Sequence, residues 1–503
     1  MISISMPLDK ILEGYVVSEK IPNVEIFGLA IDSRKVKAGY LFFACHGSFV
    51  DGKTFIGDAI ASGAVAIVLE VSTDQEIQAL SKQYPGIPVF AMHDLRSKLG
   101  YIAAKFFGDP SSDLSLIGIT GTNGKTSCAH LLAQCLDDED HPCGVIGTLG
   151  AGLWGDIHAI QYTTPDAIDI QSRLYGMRQK QAAYVAMEVS SHGLVQGRVN
   201  ACKFDVAVFT NLSREHLDYH DDMTSYGSAK LSLFTWPELT RVVVNLDDPY
   251  ANTIISNTNK GVELVGITLR QALNIEGVKV ISASDIRMEL QGLSFQIHSP
   301  WGSARLQSRL LGDFNISNLL TTLAVAMLLD NSFKATVKKL STAKPPIGRL
   351  ETFRSTDTPL VVVDYAHTPD ALEKVLLTLQ QHTKGKLYVL FGCGGDRDQG
   401  KRAEMGAIAE TNADVVWLTD DNPRTESSKD IISDILAGVT NPQQIHVNTD
   451  RKSAIEQIIL AATSADDVVL IAGKGHEDYQ IIGDKRIAFS DRDLVAKVLK
   501  EAA

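Results

Sequence analysis

Gly118–Ser127 reads GITGTNGKTS. It continues the apolar run Leu114–Ile119, which reads as a strand, and opens Thr126–Leu136, which reads as a helix. A phosphate-binding loop needs this context. Its glycines let backbone N–H groups approach phosphate oxygens, its lysine brings charge, and the hydroxyl that follows can ligate Mg²⁺. Gly121, Thr122, Asn123, Gly124, Lys125, Thr126 and Ser127 are therefore candidate nucleotide-binding residues. The strict pattern wants glycine at position 119, where the chain has Ile119. The glycine stands one residue earlier, at Gly118, and Gly121 is added. A glycine-rich turn before a helix would explain the glycines but not GKT in this setting. The loop implies ATP or GTP and leaves the reaction open.

Strands and helices alternate on both sides of this loop. IFGLAID (26–32), YLFFAC (40–45) and AVAIVLE (64–70) read as strands, and 58–62 and 94–107 as helices. FGDPSS (107–112) punctuates the chain before the loop's own strand. Buried strands follow at 183–187, 205–209 and 241–245, then a buried helix at 318–330 and the linker STAKPPIG (341–348). Beyond it, strands at 359–364, 386–391, 415–419 and 468–471 alternate with helices at 370–381, 402–411, 429–438 and 451–462. This pattern predicts an α/β protein with mostly parallel sheets, whose ligands bind beyond the strand C-termini. At 503 residues, three domains are expected: 1–98, 99–340 and 341–503.

Composition narrows the classes. A net charge of −13, from 47 basic and 60 acidic residues, argues against a general nucleic-acid binder. The six cysteines are scattered with no Cys-x-x-Cys, which argues against a disulfide framework or zinc site and for a cytoplasmic setting. Residues 1–15 lack a signal peptide's apolar core, and the apolar stretch at 319–329 is too short to span a bilayer. Small-molecule substrates, no nucleic acid, no stable membrane insertion and a monomer are the resulting expectations.

Two further loops follow buried strands. MEVSSHGLVQGR (187–198) places Glu188 at a strand end, where a carboxylate can serve Mg²⁺ as an oxygen ligand. NLSREHLDYH (211–220) gathers His216 and Asp218, and Lys230 follows on a helix. Alone, His216 reads as a cap or core histidine and Lys230 as a surface lysine.

Taken in order, GITGTNGKTS, EVSSHGL and NLSREHLDYH closely resemble the central domain of the Mur ligases. The resemblance continues through GDFNISN (312–318), GRLE (348–351), YAHTPDAL (365–372), GCGGDRDQGKR (392–402), DDNPR (420–424) and GKGHEDYQ (473–480), and covers nearly the whole chain. It implies a UDP-sugar-peptide-binding domain, a central P-loop ATPase domain and a C-terminal Rossmann-like domain that binds an amino acid. ATP and Mg²⁺ are the implied cofactors. The implied reaction is ligation of an amino acid to a UDP-N-acetylmuramoyl peptide through an acyl phosphate, in peptidoglycan precursor synthesis. By motif, Lys125, His216 and Lys230 are the catalytic candidates, and Thr126, Glu188, His216 and Lys230, the last as a carbamate, the metal ligands. The UDP-sugar dipeptide falls on Ile31, Ser33, Ser48, Phe49, Val50, Thr163, Thr164, Ser190, Gln196 and Arg198.

The third segment bears on which amino acid is added. Arginine grips a carboxylate bidentately, and Asp or Glu takes an ammonium. Meso-diaminopimelate carries a far carboxylate that lysine lacks. DNPR resembles the motif of the diaminopimelate-adding members, with Arg424 in the arginine position. The implied site is Arg397, Asp421, Asn422, Pro423, Arg424, Gly473 and Glu477. Ala403 departs from the proline expected after GKR. A lysine-adding relative should lack DNPR, and a regulator that had lost catalysis should lack Lys125, Glu188, His216 or Lys230. All are present. His216 and His367 remain alternatives for the base that deprotonates the attacking amine.

Overall fold

The strand of the phosphate loop, Ser115–Thr120, is buried on both faces, and Leu116, Ile117 and Ile119 are fully enclosed. That is why it reads as a continuous apolar run rather than an alternating one. In the computed structural model, which describes residues 4–16, 21–46, 51–70, 80, 82–270 and 274–501, this strand lies between Tyr184–Glu188 and Phe204–Phe209. Both neighbours are parallel to it. Cys143–Gly147 and Arg241–Asn245 extend the parallel array on either side. Ile119 pairs with Glu188 on one side and Val208 on the other, so the loops at 120–125, 189–198 and 210–220 leave from one sheet edge.

The chain forms two compact units, Met1–Val265 and Gly266–Ala503. The first also holds a four-stranded parallel sheet of Gly28–Ala30, Tyr40–Ala44, Ala64–Glu70 and Val89–Met92. The expected strand 26–32 is two strands here. Glu25–Ile26 pairs antiparallel with Met6–Pro7, and only Gly28–Ala30 joins the parallel sheet. Phe27 separates them, its side chain half-exposed and its N–H donating to Gly39 O.

The second unit contains an antiparallel meander, Val278–Glu289, Gly292–Ser299 and Gly302–Ser308, which the sequence analysis does not anticipate. Only one face of these strands is covered, and polar residues interrupt their alternation. The buried helix runs Asp313–Leu328, five residues earlier than expected at its start. There Asn315 Nδ2 donates to Leu311 O and Asn318 Nδ2 to Asn315 Oδ1, so polar residues that resemble a loop are satisfied inside the helix. The six-stranded sheet runs Glu351–Phe353, Leu360–Asp364, Val468–Ala472, Leu387–Phe391, Val415–Leu418, His446–Val447, and all pairings but the first are parallel. The βα reading of this region holds, with helix bounds shifted by a residue or two, as in Gly400–Asn412 and Ser428–Leu436.

A buried ion pair ties the strand ends of this sheet. Arg451 and Asp491 are fully enclosed, with Nη2 to Oδ2 at 2.7 Å and Nε to Oδ1 at 2.8 Å. Arg451 also donates to Ala472 O, the last residue of Val468–Ala472, and to Asp420 O, just past Val415–Leu418. Removing one partner of such a pair strands the other charge, so Asp491→Asn should lower stability by about 3 kcal/mol. Urea unfolding of the variant beside the wild type measures this, and an unchanged midpoint would refute it.

Candidate active site

Gly121 explains the departure from the strict loop pattern. It has φ +143°, and a Cβ there would lie 1.9 Å from Thr210 Oγ1. Gly118 instead sits inside the strand against the Phe204 ring, where a Cβ would come within 2.8 Å. The loop glycine is thus Gly121, and Gly118 serves strand packing. Gly124, at φ +87°, precedes helix Lys125–Leu136. Lys125 Nζ donates to Gly121 O at 2.8 Å and Thr122 O at 2.7 Å. Asn123 N donates to Asn211 Oδ1, which ties the loop to NLSREHLDYH.

Glu188 is fully buried at the end of its strand. It accepts from Thr126 Oγ1 at 2.9 Å, Thr148 N at 2.8 Å and Thr148 Oγ1 at 3.2 Å. Burial pushes its carboxyl above the usual range, against the pull of nearby Lys125 and these donors. A Cβ on Gly147 would stand 2.1 Å from Glu188 Oε1, so only glycine fits beside it. Among the described residues, no three His, Cys, Asp or Glu side chains group to hold a metal. The Thr126 hydroxyl and the Glu188 carboxylate are oxygens of the kind Mg²⁺ takes alongside phosphate oxygens.

Several substrate candidates connect to Glu188 through Thr148 and Thr164. Thr163 Oγ1 meets Thr148 Oγ1 at 3.0 Å, and Thr164 Oγ1 donates to Glu188 O at 2.9 Å. Ser190 N donates to Thr164 Oγ1, and Arg198 Nη1 donates to Thr164 O at 2.7 Å. Gln196 Oε1 accepts from Arg198 Nη2 at 2.7 Å. Ile31, Ser33, Gln196 and Arg198 line a cavity of about 870 Å³ that also receives Arg34, Lys35, Arg96 and Arg173. Asp32, Asp58, Asp166 and Asp169 line it as well, and Arg34, Lys35 and Arg173 pair with Asp32, Asp166 and Asp169, so the lining is of mixed charge. Ser48, Phe49 and Val50 lie outside the described residues.

Lys230, on helix Met223–Leu231, is buried rather than on the surface. Its Nζ donates to Gly121 O at 2.8 Å and lies 4.3 Å from the centre of the Tyr226 ring. Burial, then Lys125, pulls its amine down to about 6. A neutral amine is the form that can take up CO₂. A carbamate keeps one N–H that can still donate to Gly121 O, and adds a carboxylate that accepts. His216, at φ +56°, is partly exposed, with its ring 4.9 Å from that of His192.

The second unit gathers its candidates at strand ends. Asn422 Nδ2 donates to Glu477 Oε2 at 3.0 Å. Gly473, at φ +111°, leaves room for Asp421, whose Oδ2 would lie 3.0 Å from an added Cβ. Burial pushes the Asp421 carboxyl up. Arg424, at φ +51°, is clamped through its backbone to Ile481 and Gly483, and its Nη1 donates to Gly395 O at 2.8 Å. Pro423 is buried between these groups, while Arg397 is exposed. His367 Nδ1 donates to Tyr365 O at 2.8 Å, and Lys401 Nζ to His367 O at 2.7 Å.

Two residues absent from the sequence analysis complete these sites. Thr148 holds Glu188 with both its amide and its hydroxyl. Lys474 is wholly enclosed, donates to Glu477 Oε2 at 2.9 Å, and stands 3.8 Å from Asp421 Oδ1. The available signal was GKGHE itself, which puts a lysine among strand-end residues. Thr148 in GTLG carried none.

Lys230 generates a pH test. Its folded value of about 6 lies below the ordinary 10.5. Between them the unfolded chain holds the extra proton, so stability rises with pH through that window and is lost as pH falls toward 6. In CO₂-free buffer, the wild type should gain stability over Lys230→Met between about pH 6.5 and about pH 9, at up to ~1.4 kcal/mol per pH unit. Parallel urea-unfolding curves at both pH values would mean that the folded amine stays charged.

The chain matches three family models: Mur ligase family, catalytic domain, over 25–106; Mur ligase middle domain over 119–326; and Mur ligase, glutamate ligase domain, over 348–475. It is 46% identical over 486 residues to the UDP-N-acetylmuramoyl-L-alanyl-D-glutamate–2,6-diaminopimelate ligase of Ectopseudomonas mendocina, covering 97% of this chain and 96% of that one. The protein of the same name from Coxiella burnetii is 45% identical, over 95% of this chain and 96% of its own. A solved structure of a ligase of that name superposes with a TM-score of 0.74 at 34% identity, over 99% of both chains. Three matching models that together span most of the chain, and relatives about 45% identical over nearly all of it, show that the chain belongs to the Mur ligase family.

Proposed function

We propose that this chain uses ATP to join meso-2,6-diaminopimelate to UDP-N-acetylmuramoyl-L-alanyl-D-glutamate, releasing ADP and phosphate. The observation that carries the choice of amino acid is Arg424. It is held at positive φ by backbone bonds to Ile481 and Gly483, and its Nη1 donates to Gly395 O and Asn422 O. A guanidinium held this way can fork a carboxylate, and a carboxylate such as Glu477 can take an ammonium. The relatives that bear the diaminopimelate name over nearly their whole length support the same reading.

Gly121 to Ser127 cradle the ATP phosphates through backbone N–H groups, and Lys125 offsets their charge. Thr126 and Glu188 would hold Mg²⁺, and His216 and Lys230, the latter as a carbamate, would serve a second ion. When bound, these ions neutralise phosphoryl oxygens. Ile31, Ser33, Thr163, Thr164, Ser190, Gln196 and Arg198 position the nucleotide-sugar dipeptide. Its D-glutamyl carboxylate takes the γ-phosphoryl group and becomes an acyl phosphate. Arg397, Asp421–Arg424, Gly473 and Glu477 hold diaminopimelate, whose deprotonated amine attacks the acyl carbon and displaces phosphate. His367 suits the base role, because donation from Nδ1 to Tyr365 O leaves the Nε2 lone pair to take a proton. The division 1–98, 99–340 and 341–503 assigns nucleotide-sugar, ATP and amino-acid binding in turn. Among the described residues, no helix is long and apolar enough to cross a membrane.

Purified protein with ATP, Mg²⁺ and the UDP-sugar dipeptide should release phosphate and form a tripeptide with diaminopimelate, and not with L-lysine. Arg424→Lys keeps the charge but loses the fork, so it should raise KM for diaminopimelate about tenfold or more and leave that for ATP unchanged. Product mass and phosphate release measure both. Equal use of lysine by the wild type would refute the assignment of amino acid while leaving the ligase.

A further inference from the structure

Neither site uses Arg402. It lies in the first turn of helix Gly400–Asn412, with its side chain 1% exposed. Nη1 donates to Asp434 Oδ2 at 2.9 Å, and Nη2 donates to Glu426 Oε2 at 2.8 Å and Gly394 O at 3.2 Å. The other oxygen of Glu426 accepts from Asp396 N. Arg402 thus touches two loops that leave neighbouring parallel strands, Leu387–Phe391 and Val415–Leu418.

Those loops are laced together over this buried cation. Gly395 N donates to Asn422 O at 2.9 Å, Arg424 Nη1 donates to Gly395 O, and Thr425 donates to the Asp396 carboxylate from both its amide and its hydroxyl. A Cβ on Gly395 would lie 1.9 Å from Pro423 O, so the two backbones are as close as glycine allows. The Asp396 amide, then Arg402, hold the Glu426 carboxyl below its usual range, so it stays charged and bridges both loops. Asp434 differs. It is half-exposed and its contact with Arg402 reaches neither loop.

We propose that Arg402 and Glu426 form a positioning pair that sets the spacing of Gly394–Arg397 against Asn422–Arg424, and so governs selection of the incoming amino acid. The proposal rests on the amino-acid site described above. Neither residue touches the amino acid. The pair acts through Gly394, Gly395 and Asp396. A planar guanidinium suits the task, because its fork holds a carbonyl and a carboxylate in one fixed geometry.

Glu426→Gln tests this without emptying the buried position. Its amide must present a donor to either Arg402 or Asp396 N, so one of the two contacts fails. KM would be measured for ATP, for the UDP-sugar dipeptide and for the amino acid, together with the preference for diaminopimelate over lysine. Glu426→Gln should raise the amino-acid KM about tenfold, the worth of one charge-assisted hydrogen bond, and erode the preference. The other two constants should not move. Asp434→Asn should leave all three unchanged, and Arg402→Lys should follow Glu426→Gln. An unaltered amino-acid KM in Glu426→Gln, or a parallel rise of all three with a lowered Tm, would overturn the proposal. A wild type that ignores diaminopimelate would instead refute the functional reading, and the same KM split, measured with the amino acid it does use, would still decide the role of the pair.

Discussion

A fully buried carboxylate organises the first unit. Glu188 is enclosed at the end of a central strand, where an ionised acid is costly unless donors and a cation answer it. The answers come from separate parts of the chain: Thr126 from the phosphate loop, Thr148 from the next strand's end, and Lys125 by charge. Thr164 binds the carbonyl of the same residue and passes the contact on to Ser190 and Arg198. The nucleotide loop and the substrate cavity are therefore fastened to one residue. Its surroundings must be small and polar, which is why glycine stands at 147.

The second unit inverts this arrangement and builds around enclosed cations. Arg451 ties two strand ends to Asp491, Lys474 stands among Asp421, Asn422 and Glu477, and Arg402 supports the loop that meets Arg424. Each buried charge is matched by carboxylates and carbonyls, as it must be to persist away from water. Three strand-end loops become one surface because their polar groups are committed to one another in advance. Such commitment is what allows a site to tell one zwitterion from another, since its own groups need not rearrange when the ligand arrives.

Much of this was legible in the residues. Continuous apolar runs bounded by glycine-rich loops marked the parallel strands, and GKT after such a run located the nucleotide loop. DNPR and GKGHE stood at positions that the register of Val415–Leu418, Leu387–Phe391 and Val468–Ala472 brings to a common edge. Other features were not legible. The meander at 278–308 has one wet face and a weak pattern. Thr148 has no motif of its own, and its role exists only because the parallel pairing of Cys143–Gly147 with Tyr184–Glu188 carries it to Glu188. Lys230 looked like a surface lysine and is buried against Tyr226.

By itself the sequence determined the α/β class, the order of strands and loops along the chain, and the chemical types available: a phosphate loop, a strand-end carboxylate, and a late cluster of arginine, acid and amide. These are local properties, set by backbone preference and apolar spacing within a few residues. Only the tertiary structure decided which glycine opens the phosphate loop, which groups surround Glu188, and how Arg402 reaches Gly394 and Glu426. Those outcomes depend on strand register and on which polar atoms are shut away from water. Both arise from pairings between residues far apart in the chain, for which no single stretch of sequence carries the information.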